Sequence, residues 1–248
     1  MSPFAAIVFD RDSHSYTLRG VALVSVTTVI GELKPPFDRD RVSQRVAERD
    51  GLTVDEVLAE WEAKSLAALA KGSAVHAYIE DLFQGRADTV VESMNDLPEL
   101  AGFKRAWARL VTSHGARMER QELVVGDAAL GVAGCVDALV TLSEGGVRRW
   151  HCFDWKTGKK FDAHNRFENL LPPFQDLDAS HLTMYSLQTS LYRLILERAA
   201  PTLTFGDSYL THLRSDGSHA VYRGRDYRER LRRWLESRRT VTNATSIV

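Results

Sequence analysis

The sequence predicts an α/β (α+β) fold, a central mixed β-sheet flanked by helices, and three observations carry that prediction. Residues 26–112 are dominated by capped segments of helical period, residues 116–155 switch to alternating segments rich in Val and Leu, and residues 181–199 and 203–213 return to a helix and then a strand. The core order is therefore helix, three strands, helix, strand. With 248 residues and 44% apolar content the chain supplies a real core. One domain over 1–248 is expected: an N-terminal hairpin and helical elaboration over 1–70, the core over 71–213, and a C-terminal hairpin strand, basic helix and tail over 214–248.

Taken in order, residues 6–9 and 14–18 alternate as a small hairpin, with Asp10-Arg11-Asp12-Ser13 as its turn. Ser25 before Val26-Thr27-Thr28-Val29-Ile30 is an N-cap, and Thr53 with Glu56 three residues later is a capping box. Helices are expected near 26–33, 38–49 and 53–70. Gly72 is read as a break, after which Ser73 caps a further helix to Phe83 that ends at Gly85. Another helix fits Glu99 to Thr112. Three antiparallel strands follow at 116–125, 129–141 and 148–155, with Gly145-Gly146 as the turn between the last two. Leu182, Leu187, Leu191, Leu194 and Ile195 recur at helical spacing over 181–199, and 203–213 is a strand. Residues 162–180 have no periodicity and carry Pro172-Pro173, which suits either a lid or a tolerated insertion.

Composition excludes several function classes. A formal net charge of -1 and a pI near 6.7 rule out a uniformly basic binder, so nucleic-acid contact would have to come from patches. Cys135 and Cys152 are too few for a disulfide framework, a four-cysteine zinc site or a four-cysteine iron-sulfur cluster. The first ten residues lack a basic n-region, and no run of about 18 apolar residues occurs, so neither a signal peptide nor a membrane span is expected. A cytoplasmic protein fits these features.

The chemistry begins at Phe153-Asp154-Trp155-Lys156. Strand alternation puts Asp154 and Lys156 on one face and Trp155 on the other, with the two alpha carbons roughly 6.6 Å apart. Alone, such a triplet also describes a solvated strand face. Gly134-Cys135-Val136-Asp137 on the preceding strand adds a second acid, and two carboxylates brought together repel unless a cation compensates. Hard oxygen ligands favour magnesium or manganese over zinc. An arginine or a backbone amide would satisfy either acid equally well. Gln188 and Tyr192 lie one helical turn apart beside the leucine stripe, placed to border a cleft.

Together, Gly72-Ser73-Ala74-Val75-His76, Gly134-Cys135-Val136-Asp137, Asp154-Trp155-Lys156 and Gln188-Thr189-Ser190-Leu191-Tyr192 resemble the PD-(D/E)XK nuclease superfamily, in particular its RecB-like exonuclease branch. The motifs span 72–192, in the family's order. The resemblance implies a restriction-endonuclease-like αβββαβ core and a magnesium- or manganese-dependent hydrolase of DNA. It is expected to be an exonuclease on single strands or free ends, serving recombination, repair or phage DNA processing in a bacterial or phage-infected cell. A structure-specific endonuclease, or a catalytically silent DNA-binding subunit of a larger complex, are the alternatives; a helicase or recombination partner is not identified. The resemblance also makes Asp137, Asp154, His76 and the Trp155 carbonyl metal ligands, sets Lys156 on the nucleophile, and turns Gln188 and Tyr192 toward DNA.

Three further expectations complete the site. Glu80, one turn beyond His76, would orient the imidazole or approach the metal through water. Lys156, near a metal and partly desolvated, would have a lowered pKa and either supply fixed charge or take a proton. Lys159, Lys160 and Arg166, just after the catalytic strand, are expected to contact substrate. Residues 223–239 hold eight arginines against Asp226, Glu229 and Glu236, and form a basic amphipathic helix that either binds phosphate or is merely solvated. The cysteines are expected to be buried and inert, and no iron-sulfur cluster is expected.

Overall fold

Strand alternation and helical stripes resolve into three layers in the computed structural model, which describes residues 4–10, 13–86 and 97–245. The N-terminal segment forms β1 (Ile7–Asp10), β2 (Ser15–Leu18), β3 (Val21–Ser25), α1 (Val26–Gly31), α2 (Arg39–Asp50) and α3 (Val54–Phe83). The core continues with α4 (Pro98–His114), β4 (Arg117–Asp127), β5 (Val132–Glu144), β6 (Val147–Lys156), α5 (His181–Ala199) and β7 (Phe205–Leu213). β8 (His219–Arg223) and α6 (Arg228–Thr245) complete it. The strands join in one mixed sheet of eight, ordered β1-β2-β3-β5-β6-β7-β8 with β4 also paired to β5. Arg11 and Asp12 of the predicted first turn lie outside the described residues. No helix among the described residues is long and apolar enough to cross a membrane.

The predicted helix–three strands–helix–strand order is present, and its local causes are visible. Thr53 and Glu56 make the reciprocal capping box, and Ser25 accepts from Thr28 N. Gly145 and Gly146 take φ of 56° and 81°, the paired positive values a two-residue β5–β6 turn demands. On β5, Val136 and Leu139 enter one cluster with α1, α5 and α6, while Ala138, Val140 and Leu142 enter another with α3 and α4. On β6, Phe153 and Trp155 face α3 and α4, and Cys152 faces α5. Asp154 and Lys156 therefore point toward α5.

One expectation is corrected and two features are added to the others. The helix does not break at Gly72: α3 runs unbroken for 30 residues. One glycine inside a helix costs about 1 kcal/mol, less than the roughly 1.5–3 kcal/mol from burying each of Val75, Tyr78 or Ile79 on the same helix. Ser73 therefore caps nothing. Second, residues 21–25 are a strand, and the parallel pairs Val24↔Val132 and Ser25↔Ala133 bring the N-terminal hairpin into the main sheet. Third, the unpatterned loop before α5 is anchored in the core: Leu170 and Phe174 are buried, and Leu171 N donates to Leu33 O at 2.7 Å.

The C-terminal helix docks through Leu231 and Leu235, as its apolar stripe requires. Its positive charge is largely matched within the molecule. Arg228 pairs with Glu197 and Asp226, Arg230 with Asp176, Arg232 and Arg233 with Glu229, and Arg238 with Glu32.

Gly134 links this frame to the chemistry, because a Cβ there would stand 2.7 Å from Tyr192 Cε1 and 3.3 Å from Val26 Cβ. Gly134→Ala should therefore lower stability by about 1–3 kcal/mol, a melting-temperature loss of several degrees. Tyr192→Leu in the same chain should recover part of that loss, as contacting sites couple. Thermal unfolding of both variants checks this; an unchanged Gly134→Ala melting temperature contradicts the close packing.

Candidate active site

The site forms where two paired strands part. β5 and β6 are paired from Glu144↔Val147 to Ala138↔Phe153, and beyond that pair β6 stays on β7 as far as Lys156↔His212. At this fork Trp155 N has lost its β5 partner, and it donates instead to Asp137 Oδ2 at 2.8 Å. An acid at 137 thus replaces a ladder hydrogen bond. Asp137 and Asp154 are thereby held at the mouth of the fork.

His76 reaches the fork from α3. Its Nε2 lies 3.0 Å from the Trp155 carbonyl and 3.8 Å from Asp137 Oδ2, and its Nδ1 lies 3.3 Å from Glu122 Oε1. The acid that orients the ring is thus Glu122 on β4; Glu80 lines the same cleft and accepts from Gln84 Nε2 at 2.7 Å. Glu122 also accepts from Cys135 Sγ at 3.3 Å. Its φ of 43° is a left-handed conformation that costs a non-glycine residue roughly 1–3 kcal/mol. The sequence signal for Glu122 is weak, because an acid on a half-exposed strand is ordinary until its partner strand is known. Cys135 is half-buried and engaged at the site, contrary to the inert thiol expected, whereas Cys152 is buried and burial pushes its thiol up to about 12.

Asp154 is 1% exposed and faces Lys156, whose Nζ lies 2.9 Å from Oδ1 and 2.8 Å from Oδ2. Hydrogen-bond geometry is met only at Oδ1, so Oδ2 is buried beside the ammonium without a hydrogen bond. Lys156 also sits 4.4 Å over the Tyr185 ring. Gln188 Nε2 reaches Asp154 Oδ1 at 3.5 Å and Tyr192 OH at 3.3 Å. Tyr192 is buried at 3% exposure, so it supports Gln188 from below and does not itself border the cleft. Lys159, Lys160 and Arg166 are exposed on the loop after β6 and are not among the residues lining the cleft at His76.

Charge explains the titration of the group. Burial pushes the Asp137 carboxyl up to about 7, and the charge of Asp154 adds to it. Burial opposes charge on His76, but Asp137 and Glu122 outweigh it and raise the ring to about 9. Lys156 is also held above its ordinary value, since Asp154 and Asp137 more than offset its burial. The lowered lysine pKa expected from desolvation is therefore reversed by the two acids.

The donors fit a hard divalent cation. Ligand atoms of His76, Glu122 and Asp137 all lie within 4.8 Å of one another, with the Trp155 carbonyl at the same imidazole and Asp154 Oδ2 free of hydrogen bonds. With the ring neutral, Glu122, Asp137 and Asp154 face Lys156 alone among the site's cations. The balance of two negative charges is what a divalent ion neutralises.

A profile of the PD-(D/E)XK nuclease superfamily matches residues 45–247. No curated protein sequence matches the chain. Among solved structures, a candidate exonuclease from Eubacterium rectale is 10% identical over 68% of this chain, with a TM-score of 0.38. The present chain spans 64% of that protein, just under two thirds of its length. The protein SSO0001 is 14% identical over 86% of this chain and 74% of its own, with a TM-score of 0.31.

In the metal-free protein the His76 ring should titrate near pH 9. Because the fold raises this pKa from about 6.5, the charged ring's contribution to stability is fully present below 6.5 and is lost as pH rises through about 9. Glu122→Gln should lower the ring's pKa. Imidazole NMR titration of both proteins measures this, and a parent value at or below 6.5 contradicts the Glu122 and Asp137 contacts.

Proposed function

We propose, because the chain belongs to the PD-(D/E)XK nuclease superfamily, that it hydrolyses DNA phosphodiester bonds at the β5–β6 fork with magnesium or manganese as cofactor. His76, Asp137, Asp154, Glu122 and the Trp155 carbonyl would hold the ion. When bound, a divalent cation supplies an activated water nucleophile at neutral pH and relieves charge on the phosphoryl oxygens. The observation that carries this function is the convergence of Glu122, Asp137 and His76 on the Trp155 carbonyl, with Asp154 and Lys156 beside them on the adjacent strand end.

The chain's own residues divide the remaining work. Lys156, held cationic by Asp154 and Asp137, gives fixed positive charge to a bound phosphate; its raised pKa opposes a role as base. Tyr185 beneath the ammonium limits where it points. Gln188 steadies Asp154, and Asp137 holds the Trp155 peptide so that its carbonyl meets His76. His76 must lose its extra proton to act as a ligand, so metal binding releases one proton from the ring.

The finer reading is an exonuclease on single strands or DNA ends, in the cytoplasm, in recombination, repair or phage DNA processing. The likeness of the four motifs to the RecB-like branch supports it. Lys159, Lys160 and Arg166 are proposed to contact the strand beyond the cut, since they are exposed where β6 ends and make no ion pair among the described residues.

Two outcomes test this function. Lys156→Ala should still bind manganese and DNA while losing at least about a hundredfold in rate, whereas Asp154→Ala should lose metal affinity and cleavage together. Calorimetric titration and cleavage time courses separate them, and a Lys156→Ala variant cutting at the parental rate would remove the site from consideration. End-labelled linear single strands should be degraded with manganese present, while sealed circles persist; equal cutting of both would identify an endonuclease.

A further inference from the structure

The cleft over His76 and Glu122 has two walls that metal-assisted hydrolysis leaves unused. One wall is the N-terminal hairpin, where Phe9 stacks on Tyr16 at 4.6 Å and 17°, and His14 stands edge-on to Phe9 at 5.3 Å and 86°. The other is the exposed stretch of α3 that carries Ala68 and Leu69, the latter 68% exposed. Between them lie His76, Glu122, Trp155 and Lys156, in a cleft of about 580 Å³.

Packing alone accounts for Tyr16, which is buried in a small cluster with Leu23 and Ala133. It does not account for His14, an exposed side chain on a residue with φ of 49°; Phe9 packs against the same cluster but stays half-buried and also lines the cleft. Leu69 is likewise an apolar side chain left facing solvent across the floor of His76, Glu122 and Lys156. Such a cleft, phosphate-binding below and apolar and aromatic on both sides, matches a nucleic-acid strand whose bases are free to stack. Each base offers a flat π-face, and stacking on aromatic side chains is tolerant of sequence. In a duplex those faces are already stacked, and the cleft volume lies within the roughly 300–1,000 Å³ range of small-ligand sites. A duplex therefore gains little from these walls.

We propose that Phe9 and His14, with Leu69 opposite, form a base clamp that selects an unpaired strand at the catalytic fork. The clamp rests on the nuclease function proposed above. It assigns substrate selection to a hairpin outside the core motifs.

The test uses the full chain with manganese and compares the parent with Leu69→Ala and with a Phe9→Leu, His14→Ala double variant. Substrates are an end-labelled single strand, the same strand with an abasic residue stepped along it, and a blunt duplex of the same sequence. Removing a base at the clamp position should raise the parent's KM about tenfold, within the range for loss of one stacked base. The double variant should show that increase on the intact strand, with no further loss at the abasic position and no change on the duplex. Leu69→Ala, at a side chain that is 68% exposed, should show a smaller change of the same kind. Losses that add between variant and abasic strand, or a fall in kcat on every substrate, would assign these side chains to packing and overturn the clamp. Equal KM values for parent and variants would overturn it while leaving the nuclease intact. A parent that cleaves no substrate would instead defeat the nuclease function itself, and the clamp with it.

Discussion

Three carboxylates held together at a partly buried strand fork are the constraint around which the site is organised. Glu122, Asp137 and Asp154 would repel strongly in a medium of reduced dielectric, so each is matched to a different partner. His76 meets Glu122, the Trp155 amide meets Asp137, and Lys156 meets Asp154. These partners come from three directions, and each requires an element to be placed correctly. The arrangement still leaves net negative charge when the imidazole is neutral, which a divalent cation would neutralise.

The fork itself follows from sheet topology. β6 leaves β5 after Phe153 yet remains hydrogen-bonded to β7, so its end is held rigidly on one side and open on the other. Trp155 fixes the outward face of that end by packing edge-on to Phe103 at 5.2 Å. Its backbone, meanwhile, serves the site twice, donating to Asp137 and presenting its carbonyl to His76. On the opposite face α5 supplies Tyr185, Gln188 and Tyr192 at one-turn intervals, and the missing side chain at Gly134 lets Tyr192 come close enough to support Gln188. A single helix and a single strand end thus aim most of the polar groups.

Away from the fork, the molecule uses charge differently. Arg228, Arg230, Arg232, Arg233 and Arg238 of α6 are engaged with acids of the same chain, and such exposed pairs contribute little each, about 0–1 kcal/mol. Their effect is to neutralise a stripe that composition alone presents as free positive charge. Lys159, Lys160 and Arg166, where the chain leaves the site after β6, make no ion pair among the described residues. The loop that follows is tied to Leu33 and to the core by Leu170, Leu171 and Phe174.

Local chemistry in the sequence determined the kinds and order of the elements, the capping box at Thr53, the Gly145-Gly146 turn, and the alternation that sets Asp154 and Lys156 against Trp155. Each depends on residues close together in the chain, so period and propensity suffice to reveal it. The motif set around His76, Asp137, Asp154 and Lys156 was legible only through the joint likeness of four separate segments to the PD-(D/E)XK nuclease superfamily. Only the tertiary structure decided that Glu122 orients His76, that Lys156 is raised in pKa, that Tyr192 lies beneath the cleft, that α3 passes unbroken through Gly72, and that the hairpin's aromatic rings line the site. Those outcomes depend on strand register, on burial and on which charges meet across the sheet. They are non-local quantities, and the spacing of residues along one strand or helix carries no information about them.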